Sequence, residues 1–194
     1  MKTDEWKAAD PTRRPSPWKH PEILGALRAE GRSKCMYCEG KSEDVSYLTV
    51  DHIRPKDSFP DLVLEWENLG PACGRCNTNK GNYWTDHDDL RLLDPYIDAV
   101  EEHIVFAGPV AVAALGSSRG ENTLRQLKFA QREDLFWSRM RRLEDLDQRL
   151  RQWDSEDDVE KKQLFAEDVS DAIAPDREFS AALVAFARWR GFPA

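Results

Sequence analysis

Long apolar runs are missing from this 194-residue sequence. No stretch approaches the roughly 20 residues that span a bilayer, so no membrane-embedded role is expected. The opening MKTDEWKAADPTRRPSPWKH contains no apolar signal core, which gives the expectation of a cytoplasmic protein. No Walker-type glycine-rich loop occurs, so ATP hydrolysis by this chain is not expected. Internal repeats are lacking as well. Positive charge is in deficit: the formal net charge is −8, which argues against a surface that binds nucleic acid everywhere. Cysteine is scarce, with four in all and none unpaired in spacing.

What is present is a globular composition, with 33% charged and 40% hydrophobic residues. The length suits one compact domain, or a small module with a helical extension. Charge is unevenly spread. Residues 11–34 carry a net +4, and residues 141–172 carry a net −5. A basic entry beside an acidic helical body permits local phosphate contacts, although each segment read alone is also an ordinary solvated face.

All four cysteines fall in Cys-x-x-Cys pairs, CMYC (Cys35, Cys38) and CGRC (Cys73, Cys76). Structural disulfides are disfavoured in the cytosol. Two knuckles with no thiol left over read as a tetrahedral four-cysteine structural Zn²⁺ site, against the alternative of free or redox thiols.

The spacing predicts a helix over residues 21–31, opened by Pro21 and stopped by Gly31. VSYLTVDHI (45–53) reads as a strand, KDSFPD as loop, and LVLEWENLG as a second extended segment. A helix is expected to begin at the second knuckle. LDPY is a turn, HIVFAGPVAVAAL a small hairpin, and GSSRGEN a loop. From Asn122 onward, apolar residues at helical steps predict one long amphipathic helix, broken or capped by DSEDD. A second helix follows around Leu164–Ile173, and a third starts at Pro175-Asp176. Four regions result: an N-terminal arm with few fixed contacts (1–20), a core with the knuckles (21–92), a hairpin connector (93–120) and a helical region suited to partner binding (121–194).

Between the knuckles lie the residues that carry chemistry. Asp51 and His52 end the first strand; Asn68 follows 16 residues after His52, and Asn77 nine later. The chemistry that fits is metal-assisted phosphodiester hydrolysis. His52, neutral near pH 7, is the candidate base for water. Asp51 and the Asn77 amide oxygen supply hard ligands for a divalent cation such as Mg²⁺. Asn68 is suited to bracing the strand and loop that aim His52. Lys56, Arg75 and Lys80 are candidate phosphate contacts. Singly, each has a plainer reading: a surface Asp-His pair, a turn Asn, or a helix cap at Asn77. Framed by two knuckles, they read together.

The pattern C-x-x-C, D-H-I-x-P, N-L, C-x-x-C-N-x-x-K resembles the HNH nuclease family. The resemblance implies an α+β chain built on a ββα-metal core with a four-cysteine zinc site, followed by a mainly α-helical C-terminal region. It implies His52 as general base, Asp51 and Asn77 as ligands of catalytic Mg²⁺ or Mn²⁺, Asn68 as the brace of the ββ loop, and zinc on the cysteines. CMYCEG, DHIRPKDSFPDLVLEWENLGPACGRCNTNKGN, LLDPYIDAVEEHIVFAG and NTLRQLKFAQREDLFWSRM together look like the HNH subunit of Septu-type anti-phage systems, which also occurs beside some retrons. That subunit typically has Glu-His where this chain has Asp51-His52. The resemblance implies a separately encoded ABC-type (SMC-like) ATPase as partner. A ββα-metal site grips one phosphate rather than a base, so DNA is the expected substrate, with RNA possible, and the sequence does not choose between them. The competing expectations are a stand-alone restriction or homing nuclease and a zinc-stapled binding module without catalysis.

Overall fold

A computed structural model describes residues 2–41 and 46–194. The elements in order are α1 (Thr3–Ala8), α2 (Pro21–Glu30), β1 (Leu48–His52), β2 (Leu69–Cys73), α3 (Gly74–Lys80), β3 (Ile104–Ala107), β4 (Val110–Ala113), α4 (Ser118–Gln126), α5 (Glu133–Ser155), α6 (Val159–Ala172) and α7 (Ser180–Trp189). No helix of the described residues is long and apolar enough to cross a membrane.

β1 and β2 pair antiparallel, with Asp51 opposite Gly70 and His52 opposite Leu69. α3 follows β2 directly, which completes a ββα unit between the two knuckles. Val45, the first residue of the expected strand, lies outside the described residues. The second strand is not LVLEWENLG. One 3₁₀ turn, Pro60–Leu62, runs into the start of that stretch, a second, Trp66–Asn68, lies within it, and only its last two residues, Leu69 and Gly70, enter the strand. Its sequence, LGPAC, has weak strand propensity. Proline is tolerated because the sheet has only two strands and every strand is an edge. At Gly70 the strand packs closely under Met36: a Cβ there would lie 2.2 Å from the Met36 sulfur, so that side chain would have to shift.

β3 and β4 form the expected hairpin around Gly108-Pro109. Downstream, three expectations fail for physical reasons. GSSRGEN is not a loop. Ser117 caps it, accepting the Gly120 amide at 3.0 Å, and α4 starts at Ser118. The single long helix from Asn122 is two helices. Lys128 takes a left-handed conformation (φ 55°) at the break, and a 3₁₀ turn follows it. The third C-terminal helix starts at Ser180 rather than Pro175. Its N-terminus is held by Glu39, whose carboxylate accepts the Ala181 amide at 3.0 Å and the Ser180 hydroxyl at 2.9 Å.

Residues 1–20 are not an arm with few contacts. Trp6 and Trp18 are buried with Leu27, Val63 and Leu69 in one apolar cluster, and Lys7 pairs with Asp61. A second cluster joins the four cysteines to Leu127, Leu135, Phe179 and Ala182. A third lies among α5, α6 and α7. The helical C-terminal region therefore shares a core with the knuckles.

Candidate active site and metal centre

Cys35 and Cys38 lie on the turn after α2, Cys73 closes β2, and Cys76 sits in the first turn of α3. The four buried sulfurs lie within 4.8 Å of one another, a group able to hold a metal ion. The Cys38 and Cys73 sulfurs are 3.9 Å apart, about twice the ~2.05 Å of a disulfide. The Cys76 amide donates to the Cys73 sulfur at 3.5 Å. Hydrogen bonds from Cys35, Cys38 and Cys76 hold the Cys73 thiol well below its ordinary pKa. The outer partners escape sequence reasoning. Arg132, only 2% exposed, donates to the Cys76 sulfur at 3.3 Å. Burial opposes its charge, but Asp134 and the nearby cysteines outweigh burial and raise its pKa. The break between α4 and α5 puts this guanidinium beside the sulfurs.

Strand alternation sends Thr49 and Asp51 to one face of β1 and His52 to the other. Asn77 and Lys80 are three apart on α3 and share a helix face. Asp51 is 5% exposed. Its Oδ2 accepts the Tyr37 hydroxyl at 2.7 Å, and Lys80 Nζ lies 3.3 Å from its carboxylate. Burial pushes the Asp51 carboxyl above its ordinary value, against the pull of Lys80 and Tyr37. The Asn77 Nδ2 donates to Thr49 Oγ1 at 3.0 Å and to the Val50 carbonyl at 3.3 Å. That leaves Oδ1 with no donor among the described residues.

His52 is 7% exposed. Its Nε2 lies 3.1 Å from the Val63 carbonyl. A carbonyl only accepts, so the neutral ring carries its proton on Nε2 and keeps a lone pair on Nδ1. Trp18 packs edge-on against the imidazole, with centroids 4.8 Å apart and planes at 83°. Burial lowers the His52 pKa, and Lys56 and Lys80 lower it further, against the Val63 hydrogen bond. The ring is therefore neutral near pH 7.

Asn68 is buried and makes three hydrogen bonds: Oδ1 accepts the Arg54 amide at 2.7 Å, and Nδ2 donates to the carbonyls of Arg54 at 3.0 Å and Leu62 at 3.1 Å. It ties together both ends of the loop between β1 and β2. Of the phosphate candidates, Lys80 is 3% exposed and committed to Asp51 and to the His52 carbonyl at 2.6 Å, so it does not face a ligand. Arg75 is half exposed and pairs with Asp134 at 2.8 Å. Lys56 is partly exposed, 3.4 Å from Asp57. The structure thus brings Asp51, Asn77 and Lys80 to the β1–α3 face, with His52 and Asn68 on the adjoining loop side.

Residues 35–83, which contain every one of these candidates, match the HNH endonuclease family. This segment is an HNH domain of ββα construction with four clustered cysteines. The chain is also similar to two proteins named Septu protein PtuB. One, from Bacillus thuringiensis, is 40% identical over 90 residues, or 46% of this chain and 34% of that protein. The other, from Bacillus mycoides (strain KBAB4), is 26% identical over 145 residues, or 60% of this chain and 49% of that protein. The matches thus span between a third and a half of the length of these relatives.

Proposed function

We propose that the chain is a metal-dependent HNH endonuclease that hydrolyses nucleic-acid phosphodiester bonds, as the effector nuclease of an anti-phage defence complex controlled by a separate ABC-type ATPase. The observation that carries the nuclease reading is the state of His52: a neutral imidazole, fixed in one tautomer by Val63, at the end of β1 in an HNH segment. The defence role rests on the likeness to two Septu proteins.

His52 takes a proton from water at Nδ1, while its Nε2–H stays bonded to Val63 and its ring is steadied by Trp18. Asn68 holds the loop that carries these contacts. Asp51 and Asn77 are the residues for Mg²⁺ or Mn²⁺. They fit as hard oxygen donors: the Asp51 carboxylate retains lone pairs, and Asn77 Oδ1 has no donor among the described residues. Such an ion, when bound, supplies charge neutralisation at the phosphate and the leaving oxygen. Lys80 already balances Asp51 and competes with that ion. On the other side, a tetrahedral ion with Zn–S near 2.3 Å requires S–S edges of about 3.8 Å. The 3.9 Å Cys38–Cys73 separation and the all-sulfur donor set fit structural Zn²⁺.

The test is a cleavage assay on plasmid, single-stranded DNA and RNA, with any co-purifying partner and with or without ATP. Cleavage dependent on Mg²⁺ or Mn²⁺ is expected, and His52→Ala should abolish it at unchanged zinc content. Full activity in a folded His52→Ala protein rules out the base assignment. Purification without an ATPase, with cleavage indifferent to ATP, rules out the partner.

A further inference from the structure

The sequence motif D-H-I-x-P has an arginine at its variable position, Arg54, two residues after His52. Its backbone is fixed at both ends of the residue by the Asn68 amide. Its side chain is exposed, yet it is ordered by aromatic rings rather than by an acid. The guanidinium carbon lies 5.0 Å from the centroid of Trp84 and 5.8 Å from that of Phe59. Those two rings pack edge-to-face at 5.1 Å and form a half-buried shelf.

A guanidinium stacked on a ring uses its π face. Its N–H donors lie in the plane and remain available at the edge. Among the described residues, no carboxylate lies within ion-pair distance of Arg54, and no carbonyl accepts from it. Arg91, which lines the same cavity, holds a carboxylate instead, as do Arg75 and Arg119 elsewhere. Of the acids that line a cavity with Arg54, Asp98 is held by the two terminal nitrogens of Arg119, and Asp94 accepts the Tyr96 amide and feels the Arg54 charge only from beyond ion-pair distance. In a chain of net charge −8, a guanidinium oriented by rings, without an ion-pair partner and two residues along the chain from the candidate base, is suited to an anion.

We propose that Arg54 grips a backbone phosphodiester of the nucleic-acid strand next to the one that faces His52, with Trp84 and Phe59 as the shelf that aims it. The proposal rests on the nuclease reading and names the substrate contact within that site. It replaces Lys80, whose side chain is buried, as the cation that meets phosphate.

The test uses the full chain in a cleavage-dead His52→Ala background. Fluorescence anisotropy follows its binding to labelled duplex DNA, single-stranded DNA and RNA between about 50 and 200 mM salt. Arg54→Ala should weaken binding about tenfold on every sequence and reduce the slope of log affinity against log salt by about 0.9 on duplex. Arg54→Lys and Trp84→Ala keep the charge, so each should lose affinity with the slope retained. Arg54→Ala that melts like its parent and leaves affinity and slope unchanged overturns the phosphate role. If the parent with Arg54 intact binds none of the three probes, the nuclease reading falls and the proposal falls with it.

Discussion

Asn68 offers a sharp perturbation because its two ends do different work. Asn68→Ala removes three hydrogen bonds, to the Arg54 amide, the Arg54 carbonyl and the Leu62 carbonyl. At a net worth of about 1 kcal/mol each, the loss is about 3 kcal/mol. Water entry on the exposed side of the loop reduces this toward about 2 kcal/mol. For a chain of this size each kcal/mol lowers the melting temperature by about 2–4 °C, so a loss of about 2–3 kcal/mol gives a drop of about 4–12 °C at fixed zinc. Asn68→Asp keeps the acceptor for the Arg54 amide but points a second anionic oxygen at two carbonyls in a buried position, so it should cost more than alanine. Cleavage, measured well below the melting transition, should fall about 100-fold in both variants, because the loop carrying His52's Val63 contact and Arg54 loses its tie. Thermal melting and urea titration read the stability, and single-turnover cleavage reads the activity. If Asn68→Asp proves as stable as wild type, or Asn68→Ala loses stability with no loss of cleavage, the bracing argument is wrong.

Cys73→Ser should lower zinc stoichiometry, measured by elemental analysis, and broaden or abolish the melting transition, since structural zinc contributes folding energy directly. Wild-type zinc content in that variant would refute the four-sulfur site. Lys80→Met should destabilise the zinc-loaded chain, in the absence of Mg²⁺ and Mn²⁺, by about 3–5 kcal/mol, because Asp51 is left buried and unpaired. Mg²⁺ or Mn²⁺ should recover part of that loss, and a variant that melts identically with and without either ion counts against Asp51 as a ligand. Asp98→Asn breaks the two-point contact with Arg119 and should cost about 1 kcal/mol near pH 7. Burial pushes the Asp98 carboxyl up, but Arg119 outweighs burial and holds its pKa below the ordinary value. Its stabilisation is therefore present above the unfolded value of about 3.9 and is lost as pH falls through the lower folded value. The gap between wild type and Asp98→Asn in urea titrations should close on acidification.

The ββα unit was legible because its signals are local. Two knuckles at fixed spacing, a β-branched run ending in Asp51-His52, and a cysteine opening a helix each constrain only a few neighbouring residues. The partners that set the site's electrostatics are not local. Trp18 reaches His52 from a segment whose prolines and charges read as an arm. Lys80 reads as a surface cation, yet 28 and 29 residues separate it from the backbone and carboxylate it serves. Arg132 sits in a run of charged residues that predicts a solvent-facing helix, and only the left-handed turn at Lys128 delivers it to Cys76. Side-chain type misleads here because a buried cation is stabilised by a specific anion that sequence order does not reveal.

The division at residue 121 failed for a related reason. Helical periodicity marks where the chain changes character, and it does not show which core the new helices complete. Leu127, Leu135, Phe179 and Ala182 lie in the same cluster as the four cysteines. Glu39, between the first knuckle and the chain that follows it, caps α7. Deleting residues 121–194 would therefore strip one wall from the sulfur cluster as well as remove any partner surface, and loss of partner binding after such a deletion would not locate that surface. Substitutions at exposed side chains of the helical region, such as Trp137 on α5 and Trp189 on α7, leave the shared core intact. They separate contact with a partner from support of the metal centre, provided zinc content is measured on the same samples.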